Sequence, residues 1–580
     1  MFSVLNYLKK YKKETILAPL FKLLEALLEL FVPIVIKLMI DNGIAKHDEA
    51  YIIKMVVLLL ILASVGLMFS ITAQYFAAKA AIGFATDVRT SLFSHILGFS
   101  YETIDREGTS TLITRMTSDI NQVQSGVNMT LRLLLRSPFV VFGAMIMAFT
   151  IDVKLALIFA VTIPVLTVII FAIILSCIPL YKKVQGALDK VLLHTRENLS
   201  GVRVIRAFRQ EEDEIRNYNE KTEELADLQK FVGIISNLLN PVTLIIINIA
   251  TVILIYKGAI RVDVGILSQG AVVALYNYMA QILEELIKLA NLIINITKSI
   301  SSADRINEVL KIESVKEFDS VEDKVDELDG EINLEFKDVS FAYHKGRANA
   351  LEGITFAASS GETIGIIGGT GSGKSTLINL IPKFYETGSG EITINGKSIK
   401  DIDEKKLKES IGIVPQKAVL FKGSIRDNLC WRKKDATDEE LMEVLKLSES
   451  LQFVQEKNGG LSYELTAGGK NLSGGQRQRL SIARALIGNP KILIFDDSSS
   501  ALDMITDKRV RDGIKNLDSK PLTFIVAQRI SAIREADKII VLDEGNMVGI
   551  GTHDELMKNC ETYAEIYKSQ YGDEDIDEEK

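Results

Sequence analysis

Three stretches of this chain, Met55–Ala78, Leu155–Tyr181 and Phe231–Tyr256, contain no Asp, Glu, Lys or Arg. As helices, each is long enough to cross roughly 30 Å of hydrocarbon. Val264–Leu283 is a fourth such run, and its span is expected to continue past Lys288. Two weaker stretches complete the set: about 16–41, which carries Lys22, Glu25, Glu29 and Lys37, and about 133–151. The pattern predicts spans near 16–41, 53–78, 133–151, 155–181, 231–256 and 264–297, an even number that leaves both termini on one side.

The connections between these spans differ in length. Segments 41–52, 152–154 and 257–263 are short, whereas 79–132 and 182–230 run to about fifty residues each, charged and helical in pattern. The second holds Lys182, Lys183, Arg203, Arg206, Arg209 and Arg216 among other bases. Basic residues mark the cytoplasmic face, so the long connections and both termini are expected inside a cell (plasma) membrane. Lys9, Lys10, Lys12 and Lys13 precede a long segment without a cleavage site, so no cleavable signal peptide is expected.

A chain of 580 residues exceeds what one core serves. With 47% hydrophobic and 24% charged residues, it reads as a membrane half joined to a water-soluble half. The net charge of −8 argues against a nucleic-acid partner. Cys177, Cys430 and Cys560 are too far apart for a metal or redox spacing and read as reduced. The boundaries drawn are a helical transmembrane domain at 1–315, an acidic linker at 316–330, an α/β nucleotide-binding domain at 331–572 and an acidic tail at 573–580.

In the second half, Glu362–Ile367 reads as a buried strand and Thr376–Ile381 as a helix. Between them lies Gly368-Gly369-Thr370-Gly371-Ser372-Gly373-Lys374-Ser375-Thr376, a P-loop. Its glycines let backbone N–H groups close on phosphates, Lys374 supplies positive charge and Ser375 a ligand for Mg²⁺. Lys491–Asp496 is a strand ending in an acid.

Leu472-Ser473-Gly474-Gly475-Gln476 resembles the signature of ATP-binding cassette (ABC) proteins, and with the P-loop and the spans the resemblance to ABC exporters covers nearly the whole chain. It implies ATP and Mg²⁺ as cofactors. It also implies roles by position: Tyr343 stacking on adenine, Gln416 and Asp496 serving Mg²⁺ with Ser375, and Asp503 in the loop that crosses to a second cassette. Gly201–Phe208, after Glu197, resembles the intracellular loop that reaches the partner's cassette, and Phe99–Arg106 falls where a first coupling helix belongs.

Two positions depart from the family's hydrolytic pattern. Asp497 stands where a glutamate polarises the attacking water, which sets its carboxylate back by about 1.5 Å. Displacements of about 1 Å can cost around a hundredfold in rate. Gln528 stands where a histidine is usual, and it cannot carry that residue's positive charge. Ala467, before the signature, replaces a glutamate of the exporters. Each ATP in the family lies between the P-loop of one cassette and the signature of the other. The resemblance therefore implies a heterodimer: a second half-transporter supplies the glutamate and histidine, and Ser473–Gln476 caps that competent site.

The expected activity is ATP-driven export of amphipathic compounds or drugs through membrane lipid. Lipid or peptide export on the same scaffold, and a non-transporting ATP-binding regulatory subunit, stand as alternatives. A soluble ABC ATPase does not fit the spans. Ionisable groups at membrane depth are costly and face a cavity or a partner, which makes Glu25, Glu29 and Glu284 candidate substrate residues. The competing reading pairs such acids with Lys22, Lys37, Lys288 or groups on the partner chain.

Overall fold

The computed structural model describes residues 2–314, 330–343 and 348–571; the expected linker, apart from Gly330, and the acidic tail lie outside them. Two compact units result, Met1–Leu97 with Gly108–Glu313, and Gly98–Glu107 with Ser314–Lys580.

The first unit is helical. Its long helices include Lys12–Leu38, Glu49–Leu97, Arg136–Ile151, Val153–Ala207, Leu239–Asp263 and Gln269–Lys311. By length and composition, 4 stretches are apolar enough to cross a membrane: Glu49–Leu97, Thr109–Ile151, Val153–Ala207 and Glu211–Asp263. The first and last expected spans fall on Lys12–Leu38 and Gln269–Lys311, which carry more polar and ionisable residues and are not in that set. Large apolar side chains such as Leu60, Val168 and Val252 stand more than 60% exposed, which suits contact with lipid rather than water.

One expected boundary needs correction. The apolar run from Val264 does not begin a helix there. Gly265 adopts φ +75, a left-handed turn open to glycine, and the helix starts at Gln269 with Ser268 as its N-cap. Asp41 braces this start by accepting from the Gly270 amide at 2.9 Å. The run at 231–256 lies within the apolar stretch Glu211–Asp263, with an irregularity at Leu238 between helices Glu211–Asn237 and Leu239–Asp263. Pro241, in the first turn of the second helix, has no N–H to continue the preceding ladder. Apolarity marks depth in the membrane; it carries no record of where a helix breaks.

In the core of this unit, Tyr278 is fully buried and donates to the Leu30 carbonyl at 2.6 Å. Gly143, Ala144 and Ala148 keep the neighbouring helix close: a Cβ on Gly143 would lie 2.4 Å from Leu30 Cδ1.

The second unit is built on a 10-stranded sheet. Its parallel centre runs, in spatial order, Lys538–Asp543, Thr363–Gly368, Leu522–Val526, Ile492–Asp496 and Ile411–Val414. Antiparallel strands extend one side. Ile492 and Ile494 enter one buried cluster while Leu493 and Phe495 enter the other, so the centre is covered on both faces. The C-terminal ends of these strands gather the candidate site. The short helix Tyr101–Glu107 belongs to this unit, where Tyr101 stacks on Phe384 at 4.3 Å and the Tyr385 hydroxyl donates to Asp105 at 2.6 Å.

Candidate functional site

Strand Thr363–Gly368 delivers the P-loop and helix Lys374–Leu380 carries it away. Two glycines make the turn possible. A Cβ on Gly368 would meet the Leu542 carbonyl at 2.0 Å. Gly373 sits at φ +97, where a Cβ would also strike the Ala350 carbonyl at 2.7 Å. Gly369 and Gly371 have nothing within 4 Å of a built Cβ, which leaves that side of the loop open.

Lys374 folds its amine onto the loop, donating to the carbonyls of Gly368 at 2.9 Å and Gly369 at 2.6 Å. Burial pushes its pKa below the ordinary lysine value, against the opposing pull of Asp497 and Asp496. Ser375 donates to Asp496 at 2.9 Å. Burial raises the Asp496 carboxyl above the ordinary aspartate range; the Ser375 hydrogen bond opposes this and the nearby Asp497 charge adds to it. A hydroxyl and a carboxylate side by side are hard oxygen donors of the kind Mg²⁺ takes. An ammonium held by two backbone carbonyls and, at 3.4 Å, by the Ser372 hydroxyl can exchange these neutral acceptors for phosphate oxygens.

Asp497 follows in the left-handed region, φ 44, buried and with its amide donating to the Val526 carbonyl at 3.0 Å. Its Oδ2 accepts from Gln528 at 2.8 Å and from Gln416 at 3.2 Å. The carboxylate is thus held by two neutral amides, where a histidine would have offered an imidazole able to carry charge. Gln570, on the helix Glu561–Tyr571, braces the Gln528 segment: it donates to the Gln528 carbonyl at 2.7 Å and accepts from the Ile530 amide at 2.9 Å. No motif marks Gln570, which lies about forty residues from the segment it holds.

Tyr343 is 37% exposed, and its hydroxyl lies 3.0 Å from that of Thr376. Its ring packs edge-on to Phe341 and Tyr385. The signature residues make other contacts. Leu472 is buried, and Ser473 and Gln476 form a capping box at the exposed start of the helix Gly474–Leu486. In it the Gln476 amide donates to Ser473 Oγ at 3.2 Å and the Ser473 amide to Gln476 Oε1 at 3.0 Å. Gly474 is exposed, and Gly475 lies against the Ala501 carbonyl. Asp503 caps the helix Met504–Lys515 through Thr506, whose backbone N–H is the first cause of its lowered pKa. Among the described contacts, none joins Ser473–Gln476 to the Lys374–Asp496–Asp497 group.

The membrane acids have named partners. Lys22 pairs with Glu25 at 2.5 Å and reaches Ser70 at 3.1 Å, so Glu25 is buried in a pair of its own. Arg136 bridges Glu29, at 2.6 Å, to Glu285. Ser137 donates to Glu285 at 2.8 Å. Lys288 joins Glu285 at 3.0 Å and Glu284 at 2.7 Å. Sequence reasoning missed Arg136, at the start of the helix Arg136–Ile151. Its position after Arg132, among apolar neighbours, was the available signal.

Two family models match the chain: "ABC transporter transmembrane region" over residues 15–286 and "ABC transporter" over residues 351–500. The chain is 35% identical to the "Uncharacterized ABC transporter ATP-binding protein YfiB" of Bacillus subtilis, across 99% of both chains. It is 32% identical to that organism's "Putative multidrug export ATP-binding/permease protein YgaD", across 98% of this chain and 99% of the relative. A solved bacterial Atm1-family ABC exporter with ATP bound shares the fold at a TM-score of 0.77 and 23% identity, over 96% of this chain and 99% of that one.

Proposed function

Because the chain belongs to the ABC transporter family, as a half-transporter with a transmembrane region fused to an ATP-binding cassette, we propose that it is the weakly hydrolytic half of a heterodimeric exporter of amphipathic compounds. The observation that carries the reading is the pairing of Asp497 with Gln528 and Gln416 beside an intact Leu472–Gln476 signature. In this reading Lys374 and the P-loop amides hold the phosphates of ATP. Ser375, Asp496 and Gln416 take Mg²⁺, and Tyr343 carries the adenine. Asp497, with its shorter side chain and amide partners, orients water poorly for attack. A homodimer would repeat this defect at both nucleotides, so a partner half-transporter supplies the glutamate and histidine while Ser473 and its neighbours cap the partner's site. Helices Lys12–Leu38 and Gln269–Lys311 complete six spans, with the cassette and both termini in the cytoplasm of a cell whose plasma membrane holds the protein.

The test is ATPase activity of the chain purified alone and with whatever co-purifies through a tag on it. Alone, turnover is expected at no more than about a hundredth of that of the two-chain assembly. Vigorous hydrolysis by the isolated chain would sink the heterodimer reading.

A further inference from the structure

We infer that Gln570 is a positioning residue for the nucleotide site: by fixing the backbone around Gln528, it sets the preference of this chain's P-loop site for a nucleoside triphosphate over a diphosphate. The inference rests on the reading above that Lys374 and the P-loop hold ATP, and adds what tells ATP from ADP there.

The backbone comes first. Strand Leu522–Val526 pairs with the strand that delivers the P-loop, and the Ala527 amide still donates to the Ile366 carbonyl at 3.1 Å. Beyond Ala527 the chain leaves the sheet. A short helical turn, Ile530–Ala532, follows, and Arg529 before it supplies no side-chain cap. The Gln528 carbonyl and the Ile530 amide therefore take partners from outside the segment. Gln570 meets both: its Nε2 donates to the Gln528 carbonyl at 2.7 Å and its Oε1 accepts from the Ile530 amide at 2.9 Å. A side-chain amide carries a donor and an acceptor side by side, as a neighbouring strand would. Glutamate lacks the donor and leucine lacks both.

The helix that carries Gln570, Glu561–Tyr571, is itself fixed. Tyr563 and Tyr567 are buried, the Tyr563 hydroxyl lies 2.8 Å from His553 Nδ1, and Tyr567 stacks on Tyr571 at 4.7 Å. Gln570 thus passes the position of a packed helix to a turn that is exposed at Gln528.

The consequence falls on the nucleotide. Gln528 donates to Asp497 Oδ2 at 2.8 Å, and the Asp497 charge acts on the Lys374 ammonium. A P-loop lysine meets the outer phosphates, so the Gln528 amide stands beside the place of the terminal one. Its nitrogen carries two N–H bonds, one for Asp497 and a second that can go to a phosphate oxygen. ADP has no phosphate at that place. Binding groups work when held to within about 0.5 Å, and the two hydrogen bonds to Gln570 are what hold this turn after it leaves the sheet.

The experiment uses the assembly purified through a tag on this chain, kept on ice to suppress turnover and photolabelled with radioactive 8-azido-ATP and Mg²⁺. Label in the tagged chain is displaced by ATP or by ADP, and the ratio of the two affinities is the readout. Gln570→Leu is expected to weaken ATP about tenfold and ADP by less than about twofold, as for one lost hydrogen bond to a charged oxygen. Gln528→Ala should lower the ratio to a similar extent. Adding Gln570→Leu to it should then bring little further change, because both act through one contact. Tyr563→Phe, in the buried part of the same helix, is the structural control: a lower melting temperature with the ratio unchanged. A parental ratio in folded Gln570→Leu overturns the proposal, as does an equal loss of ATP and ADP. Full additivity with Gln528→Ala overturns it too. If Gln570→Leu does not fold, Gln570→Glu carries the same comparison, since it keeps an acceptor for the Ile530 amide and sets a carboxylate against the Gln528 carbonyl. No displaceable label in the parent chain would defeat the ATP-site reading and this inference together, whereas a labelled parent with an unchanged ratio in the variants defeats the inference alone.

Discussion

At the residue scale, the acids of this chain are defined by what stands beside them. Asp496 shows it for the cassette. Burial raises its pKa above the ordinary aspartate value, so the folded chain without ligand holds that proton more readily than the unfolded chain. Its contribution to stability is therefore present below the ordinary aspartate range and is lost as pH rises through the raised value. Asp496→Asn, which imitates the protonated form, is expected to raise the melting temperature at neutral pH, with the gain fading as the pH falls from the raised value toward about 3.9 and gone below it. The same change should weaken Mg²⁺-dependent ATP binding at least about tenfold, as expected when a metal ligand is lost. Thermal unfolding across pH, set beside nucleotide binding with and without Mg²⁺, checks both. A variant less stable than the parent at pH 7 would contradict the account. The membrane acids follow the same logic: Glu25 and Glu29 read alike in sequence, one turn apart, yet one is sealed by Lys22 and the other opens beside Arg136.

At the element scale, close approach decides which helices lie together. Gly126, in the helix Ile120–Leu133, faces Ser299 of the helix Gln269–Lys311, where an added Cβ would come within 2.1 Å of Ser299 Oγ and 2.4 Å of its Cβ. Ser299 in turn donates to the Gln122 carbonyl at 2.8 Å, so it is not free to swing away. Gly126→Val is expected to destabilise the protein by about 1–3 kcal/mol through overpacking. Ser299→Gly should recover part of the loss if the contact is its source. Melting temperatures of the two single variants and the double one decide this, and purely additive losses would point elsewhere. The strand–loop–helix of the P-loop was legible in sequence because its glycines sit where backbone geometry demands them. The helix starts at Leu239 and Gln269 were not, because the breaks lie inside uncharged runs.

At the scale of the whole molecule, the proposed heterodimer would divide labour between two nucleotides according to which motifs are whole. On the proposed reading Asp497, held by two amides, would not be the principal base, so Asp497→Asn is expected to alter ATP turnover of the assembly by no more than about twofold. Ser473→Ala removes both a hydroxyl expected at the partner's site and the cap of the helix Gly474–Leu486, and should cost about tenfold or more. Steady-state ATPase rates of the two variant assemblies provide the measure, and equal losses would count against the assignment. The sequence by itself determined the membrane half, the cassette, the P-loop and signature, and the two substituted positions, because each depends on composition or on residues close together in the chain. Only the tertiary structure decided that Gln416 and Gln528 meet on Asp497, that Gln570 braces their segment, and that Arg136 divides its charge between Glu29 and Glu285. Those contacts join residues from about thirty to about a hundred and fifty positions apart, and their partners are chosen by the packing of strands and helices rather than by local pattern.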